Sequence, residues 1–530
     1  MAAATLTFHD TWRPKANPWV IAVTVTLATF MEALDTSIVN VAMPHMAGSL
    51  SASVDEATWV LTSYLVANAV VLPISGWIAN RIGRKRFYMS CVTLFTLASL
   101  LCGLAPTLPM LVLFRVIQGA AGGGLQPSEQ AILADTFPPQ KRSMAFAVYG
   151  MAVVLAPALG PTVGGWIVDN HSWRWLFFLN IPVGILSLIL TQRLVEDPPY
   201  LAERRKKREG IDYWGLGLLV VFIGALQMLL DKGQEDDWFS SRFIVSATIL
   251  AATSFAFFLW RELHIEHPIV DLRLFQRRNI AMTQLVMFMV GASLYSTTVL
   301  IPQYLQEVMG YSARQAGMAV STGGVVLMVL FPVAGALAPK FDPRKLVAVG
   351  FVITTYGLFR MTNINQQISF GLAVSWRACI ALGLPFLFIP INTLCYAGVP
   401  QEKNNEVSGL TALSRNVGGS VGISFVTTLL ARFSQRHQAM MIRHTVDGNG
   451  PFERMRSAMA GAWRHNGGGG GPDSGLHAGA QIYGMLQSQA RTLAYVDVIW
   501  ILVALTGCLI PLPFLMKRPA KREAAVEVVH

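Results

Sequence analysis

Glu32 and Asp35, Arg115 and Glu129, Arg377 and Arg415 each stand inside long apolar runs of this chain. A charged side chain at mid-membrane costs about 2.5–3.5 kcal/mol on insertion scales, so ionisable groups in such runs read first as functional. Carboxyl groups there bind and release protons, arginines pair with carboxylates, and a carboxyl–arginine pair does both. Asp35 lies about 24 Å along its helix from Trp19, at 1.5 Å per residue. Arg115 comes a turn or two after the start of its run. If the first run climbs away from the side where the chain starts and the fourth descends, both sit at similar depth and can face one cavity. Burial and a neighbouring arginine act in opposite senses on the proton affinity of a carboxyl. A change in their separation, or a cation competing for Asp35, would therefore load or unload a proton. The alternative reading is a static pair that ties two helices. Glu32, three residues before Asp35, shares its helix face and is either a second proton or cation site or a contact with a polar neighbour.

These residues are positioned by helices that must span a membrane. The chain has 530 residues, 53% hydrophobic and 13% charged, with mean hydropathy +0.47. A soluble domain carries about 25% charged residues. Apolar runs long enough to cross a bilayer recur from residue 19 to residue 516, about fourteen in all, with twelve as the lower count. The run that starts at Trp19 is too long for the core of a signal peptide, so it is read as an uncleaved first span.

The net charge of +11 does not point to nucleic acid, because the basic residues sit in short loops between apolar runs. Arg81, Arg84 and Arg86 follow the second span, Lys141 and Arg142 the fourth, and Arg204–Arg208 the sixth. Arg277 and Arg278 follow the eighth, Lys340 and Arg344 the tenth, and Lys517 and Arg518 the last. All fall on one face, which the positive-inside rule makes cytoplasmic, with both termini there. The expected organisation is a cytoplasmic N-terminus (1–18), a six-helix bundle (19–195), linkers with two inserted helices (196–278), a second six-helix bundle (279–516) and a cytoplasmic tail (517–530). The second bundle includes a long outer loop, 432–491. Within that loop Gly467–Gly471 reads as a flexible linker, and Phe452–Ala462 as a short amphipathic helix. An internal echo supports two halves: Gly76–Lys85 ends the second span and Gly335–Lys345 the tenth, as in transporters built from repeats.

Several segments resemble signatures of the fourteen-helix drug:proton antiporters of the major facilitator superfamily, the EmrB/QacA type and its EmrB branch above all. Leu34–Pro44 resembles LDxTIVNVALP. Gly76–Arg86 resembles the cytoplasmic loop motif GxLADRxGRK, with Gly76, Asn80, Arg81, Gly83 and Arg84 at its defining positions. Arg115–Gly119 resembles RxxQG. Ala156–Gly165 resembles the antiporter motif, through Pro157, Gly160, Pro161, Gly164 and Gly165. Trp173–Gly184, Leu226–Ser241 and Leu305–Tyr311 extend the likeness over nearly the whole chain. The resemblance implies a major facilitator fold of fourteen transmembrane helices, two six-helix bundles plus two inserted helices. It implies a proton-coupled exporter of lipophilic or amphipathic compounds in the bacterial inner membrane. It also implies a periplasmic membrane-fusion adaptor and an outer-membrane channel as partners. A metabolite or siderophore exporter on the same fold is the alternative, because fold does not fix function.

The depth and chemistry of the buried charges assign proton coupling to Asp35 and Arg115, with Glu32 beside them. Asn40, Gln118, Glu129, Arg377 and Arg415 are candidate cavity residues. Glu129, nearer the cytoplasmic end of the fourth span, is placed at the inner vestibule. Arg377 and Arg415 either favour anionic substrates or pair with a carboxylate. Gly160 and Gly164 fall on one face and let another backbone approach, while Pro157 and Pro161 bend their helix. The loop motif departs from its family at Asn80, where Asp is usual, which puts a purely ionic latch in doubt. Met287, Phe288 and Met289 fit either an adaptable pocket or core packing. The five cysteines (Cys91, Cys102, Cys379, Cys395, Cys508) form no CxxC pair. No metal cluster, activated nucleophile or cofactor fingerprint stands in the spans, so no cofactor and no enzyme activity are expected, the proton being the coupling ion.

Overall fold

The computed structural model describes residues 14–199, 201, 212–265, 268–397, 399–446, 448–465 and 472–516. The basic run Arg204–Arg208, the glycine run and the tail from Lys517 onward lie outside the described residues. The first half comprises α1 (Pro18–Ser49), α2 (Trp59–Ile82), α3 (Arg84–Leu104), α4 (Leu108–Gly122), α5 (Leu125–Thr136), α6 (Pro139–Asn170) and α7 (Asn180–Leu194). An inserted pair follows, α8 (Tyr213–Lys232) and α9 (Arg242–His264). The second half comprises α10 (Arg278–Glu307), α11 (Ala313–Leu337), α12 (Pro343–Met361), α13 (Phe370–Cys395), α14 (Asn404–Ile442), α15 (Gly450–His465) and α16 (Pro472–Cys508). Among the described residues there is no strand.

Thirteen helical segments are long and apolar enough to cross a membrane. Another helix, α12, has 19 residues with Arg344, Lys345 and Arg360 near its ends, and packs against α13 and α16. The fourth span is broken: α4 and α5 meet at Gly123 and Gly124. A Cβ on Gly124 would press on the Phe87 ring at 2.7 Å, so the break lies where the span presses on α3.

The two halves repeat one packing scheme. In the first half α1 packs on α6, α2 and α3 on α4, and α3 on α7. In the second, α10 packs on α14, α11 and α12 on α13, and α12 on α16. The halves then exchange helices across their interface: α6 lies along α11, and α14 along α2. The two echoing loop segments occupy matching crossings. A Cβ on Gly76 would lie 2.6 Å from the Asn405 carbonyl oxygen, and one on Gly335 would lie 2.9 Å from the Ala147 Cβ. Each glycine lets its helix cross onto the other half at the end that carries the basic loops. The inserted helix α8 packs against both α2 and α14, and so touches both halves.

The segment read as an outer loop, 432–491, is a correction. α14 runs unbroken for 39 residues and α16 for 37, about 58 and 55 Å at 1.5 Å per residue. Both exceed a hydrocarbon core of about 30 Å. Their ends therefore project beyond the membrane, with α15 packed on α16. Most of the presumed loop is a helical extension of the bundle, and the expected short helix is α15.

Candidate functional site

Asp35 and Arg115 meet. Both are fully buried, and Arg115 Nη1 donates to Asp35 Oδ2 at 2.5 Å. α1 and α4 carry them to the same depth, and the rest of the shell comes from neutral polar side chains. Gln118 Nε2 donates to Asp35 Oδ1 at 3.1 Å, and Asn180 Nδ2 donates to the same oxygen at 2.7 Å. Arg115 also donates to the Val60 carbonyl at 3.1 Å and to Gln118 Oε1 at 2.9 Å. Its guanidinium lies 4.1 Å above the Tyr64 ring, a cation–π contact strengthened by desolvation. Gln118 thus belongs to the buried pair and does not line a cavity. Asn40 is exposed, away from this network.

Glu32 sits one turn away in a second network. Its Oε1 accepts from Tyr64 Oη and Asn68 Nδ2, both at 3.2 Å, and its Oε2 accepts from Gln126 Nε2 at 2.6 Å. Gln126 Oε1 in turn accepts from Arg415 Nη2, and Arg415 Nη1 donates to Tyr149 Oη at 2.9 Å. Arg415 belongs to α14, in the second half, so a relay runs from a carboxylate of the first half through an amide to a cation of the second. Asn416 Nδ2, donating to Asn68 Oδ1 at 3.3 Å, is a parallel link. Glu129 is a correction. It is fully buried between α5 and α1, taking a hydrogen bond from Thr26 at 2.6 Å, and it does not line a vestibule. Its Oε2 has no partner. Arg377 is buried at 2% exposure, apart from both networks.

The antiporter-motif helix α6 is shaped as its sequence demands. Pro161 has no N–H to offer the Pro157 carbonyl one turn back, and Ser37 Oγ of α1 donates to that carbonyl instead, at 3.1 Å. A Cβ on Gly160 would collide with Ser37, and one on Gly164 would lie 3.2 Å from Ile38. Gly165 takes no part in this crossing, because nothing lies within 4 Å of a Cβ there.

The loop motif closes the basic end. Gly83 has φ +100°, which favours glycine and turns α2 into α3. That turn buries Arg84, which pairs with Asp135 and donates to Asn405 Oδ1 at 2.6 Å. Asn405 Nδ2 donates to Asn80 Oδ1 at 2.6 Å, and Asn80 Nδ2 to Glu406 Oε1 at 3.4 Å. Asn404 Nδ2 donates to Asp135 Oδ1 at 2.7 Å. At position 80 the halves are therefore tied through an amide, which accepts from the Asn405 amide and donates to the Glu406 carboxylate. Arg81 lies over the Trp77 ring at 5.6 Å.

Two bundles with one packing scheme are crossed by exchanged helices and latched at one end. The Major Facilitator Superfamily profile matches residues 25–423. The chain belongs to that superfamily. It is a multi-pass membrane transporter, not an enzyme. The multidrug export protein EmrB of Escherichia coli K12 is 38% identical over 444 residues, 83% of this chain and 86% of that protein. The fatty acid resistance protein FarB of Neisseria gonorrhoeae is 38% identical, over 81% of this chain and 84% of that one. The colistin resistance protein EmrB of Acinetobacter baumannii is 30% identical, over 85% and 88%. Among solved structures, a double-tryptophan mutant of XylE superposes with TM-score 0.59 at 14% identity, covering 94% of this chain and 98% of that one. That likeness carries the fold alone.

Sequence reasoning missed Asn180, Gln126, Tyr64, Asn68 and Tyr149. Asn180 stands within Trp173–Gly184 at the start of a span, and its polarity there was the available signal.

Proposed function

We propose that this transporter is a proton-driven exporter of lipophilic or amphipathic compounds, working by alternating access, with Asp35, Arg115 and Glu32 as its coupling groups. The observation that carries the reading is the relay from Glu32 through Gln126 to Arg415. An ionised Glu32 accepts from the Gln126 amide and leaves Gln126 Oε1 to accept from Arg415. A protonated Glu32 is itself a donor and competes for that oxygen, loosening one tie between the halves. Proton loading on α1 thereby weighs on the contact that must break when the halves rock. Asp35, with its own arginine in the same half, is the second carboxyl through which a proton or a cationic substrate acts.

The EmrB relatives support export of drugs as the direction and cargo. The basic loops support an inner-membrane orientation with cytoplasmic termini, so the latched basic end is the cytoplasmic gate. The helical extension formed by the ends of α14 and α16 with α15 supports docking of a periplasmic adaptor, the middle part of a tripartite path to an outer-membrane channel. Energetically, one pH unit gives about 1.4 kcal/mol per proton, and 100 mV gives about 2.3 kcal/mol per charge moved. One proton against one neutral molecule sustains a gradient of several hundred-fold on roughly those terms.

The test is ethidium accumulation in energised inverted vesicles, with and without a protonophore. Wild-type accumulation should collapse with the protonophore, and Glu32→Gln and Asp35→Asn should each lower it at least tenfold. Accumulation by the wild type that ignores the protonophore would refute proton coupling.

A further inference from the structure

Arg377 holds, in the second half, the place that Arg115 holds in the first. Each is the eighth residue of its helix, α13 from Phe370 and α4 from Leu108. α4 rests on α2 and α3, and α13 rests on their counterparts α11 and α12. Arg115 reaches α1 and finds Asp35. Arg377 reaches α10, the counterpart of α1, and finds hydroxyls: Thr297 Oγ1 at 3.4 Å and Thr298 Oγ1 at 3.3 Å. Thr297 is the twentieth residue of α10 and Asp35 the eighteenth of α1, so the threonines stand within a turn of where the carboxylate would be.

The second arginine thus keeps its setting but lacks its counter-ion. Arg377 is 2% exposed, its Nε has no hydrogen-bond partner, and among the described residues no carboxylate forms an ion pair with it. A guanidinium in apolar surroundings is costly unless an anion joins it, and its planar fork matches a carboxylate with two parallel hydrogen bonds. The side chain itself is housed by a glycine. Gly323 of α11 faces the side chain, where a Cβ would lie 3.1 Å from Arg377 Nε. Thr298 is only partly buried, which leaves an approach from that side. The site lies about 10 Å inside the start of α13 at 1.5 Å per residue, too deep for a lipid phosphate resting at the interface.

We propose that Arg377, with Thr297 and Thr298, is a substrate subsite that binds the carboxylate of an amphipathic organic acid. The proposal rests on the export reading above and names a substrate class for it. The first half keeps its carboxylate and answers to protons. The second half leaves the equivalent position to the cargo.

The test uses the full chain in lipid nanodiscs with radiolabelled decanoate and, in parallel, radiolabelled decanol, read by scintillation proximity. The ratio of the two affinities is the readout, because partial loss of folded protein lowers both alike. Wild type should prefer decanoate. Arg377→Gln should lower the ratio about tenfold, and Arg377→Lys should lower it less. Thr298→Asp should abolish the preference by giving Arg377 an internal partner like the one Arg115 has. A wild-type ratio near one, or a ratio unchanged by both Arg377→Gln and Thr298→Asp, overturns the subsite. Protonophore-sensitive ethidium accumulation scores the export reading separately, so the failure of either is seen without the other.

Discussion

At the scale of single residues, the Asp35–Arg115 pair is an electrostatic unit whose members cannot be removed one at a time. Each is fully buried, and stripping one partner from a buried pair leaves an uncompensated charge, typically destabilising by about 3–5 kcal/mol. Arg115→Ala should therefore lower the melting temperature of the detergent-purified protein strongly. The double variant Asp35→Asn/Arg115→Gln, which removes both charges and keeps polar groups, should recover most of that loss. Transport should stay lost in both. A double variant as unstable as Arg115→Ala would mean that the amide shell of Gln118 and Asn180 requires the charges. The two partners were legible in the sequence because a charge inside an apolar run stands out by its insertion cost. The shell was not. Asn180, Gln126 and Tyr149 carry no formal charge, and which of them reaches a carboxylate depends on how α5, α6 and α7 pack around α1. Glu129 was misplaced for the same reason: its depth was readable, but not the rotation that turns it toward Thr26.

Among the elements, the inserted pair shows how an attachment is fixed from outside the span. Asp212 caps α8 by accepting from the Gly215 N–H at 3.0 Å, and Arg261 of α9 holds it with Nη2 2.6 Å from Oδ1. Burial raises the proton affinity of Asp212, but the hydrogen bonds from Arg261 and Gly215 outweigh it and hold the carboxyl below the usual carboxylate range. A carboxyl depressed in the folded state adds stability above its unfolded value, about 3.9, and loses it as pH falls toward the folded value. Melting temperatures of wild type and Asp212→Asn should thus differ by a constant amount from pH 8 to pH 5. They should converge only below about pH 4. Convergence already near pH 6 would mean that the α8–α9 tie is not governed by this carboxylate. The α1–α6 crossing makes a second case. Ser37→Ala frees the Pro157 carbonyl and should cost about 1 kcal/mol in unfolding assays, whereas Gly160→Val should cost more by forcing α6 off Ser37. The antiporter-motif glycines and prolines announced this crossing through their spacing, apart from Gly165. The projecting ends of α14 and α16 went unannounced, because helix outside a membrane leaves no mark in a hydropathy profile.

For the whole molecule, the departure at Asn80 decides how the basic end closes. The latch binds Asn80 to Asn405 at 2.6 Å and to Glu406 at 3.4 Å, while Arg84 serves Asn405 and Asp135. An aspartate at position 80 could still accept from Asn405, but it would set a second carboxylate against Glu406. Two like charges about 4 Å apart repel by about 4 kcal/mol at an effective dielectric of 20. The start of α14 would return only about 0.3–1 kcal/mol to an added anion through its helix dipole. The repulsion exceeds the return from the dipole, so Asn80→Asp should open the basic end. Spin labels at Arg86→Cys and Lys340→Cys, one in each half and both exposed, report that opening once the native cysteines are replaced. The distance distribution should shift longer in Asn80→Asp and return to the wild-type position in Asn80→Asp/Glu406→Gln, where the added charge no longer faces another. A shorter distance in Asn80→Asp would show that the α14 dipole and the nearby arginines dominate, and the latch would then be ionic in kind, with Asn80 a weakened form of it.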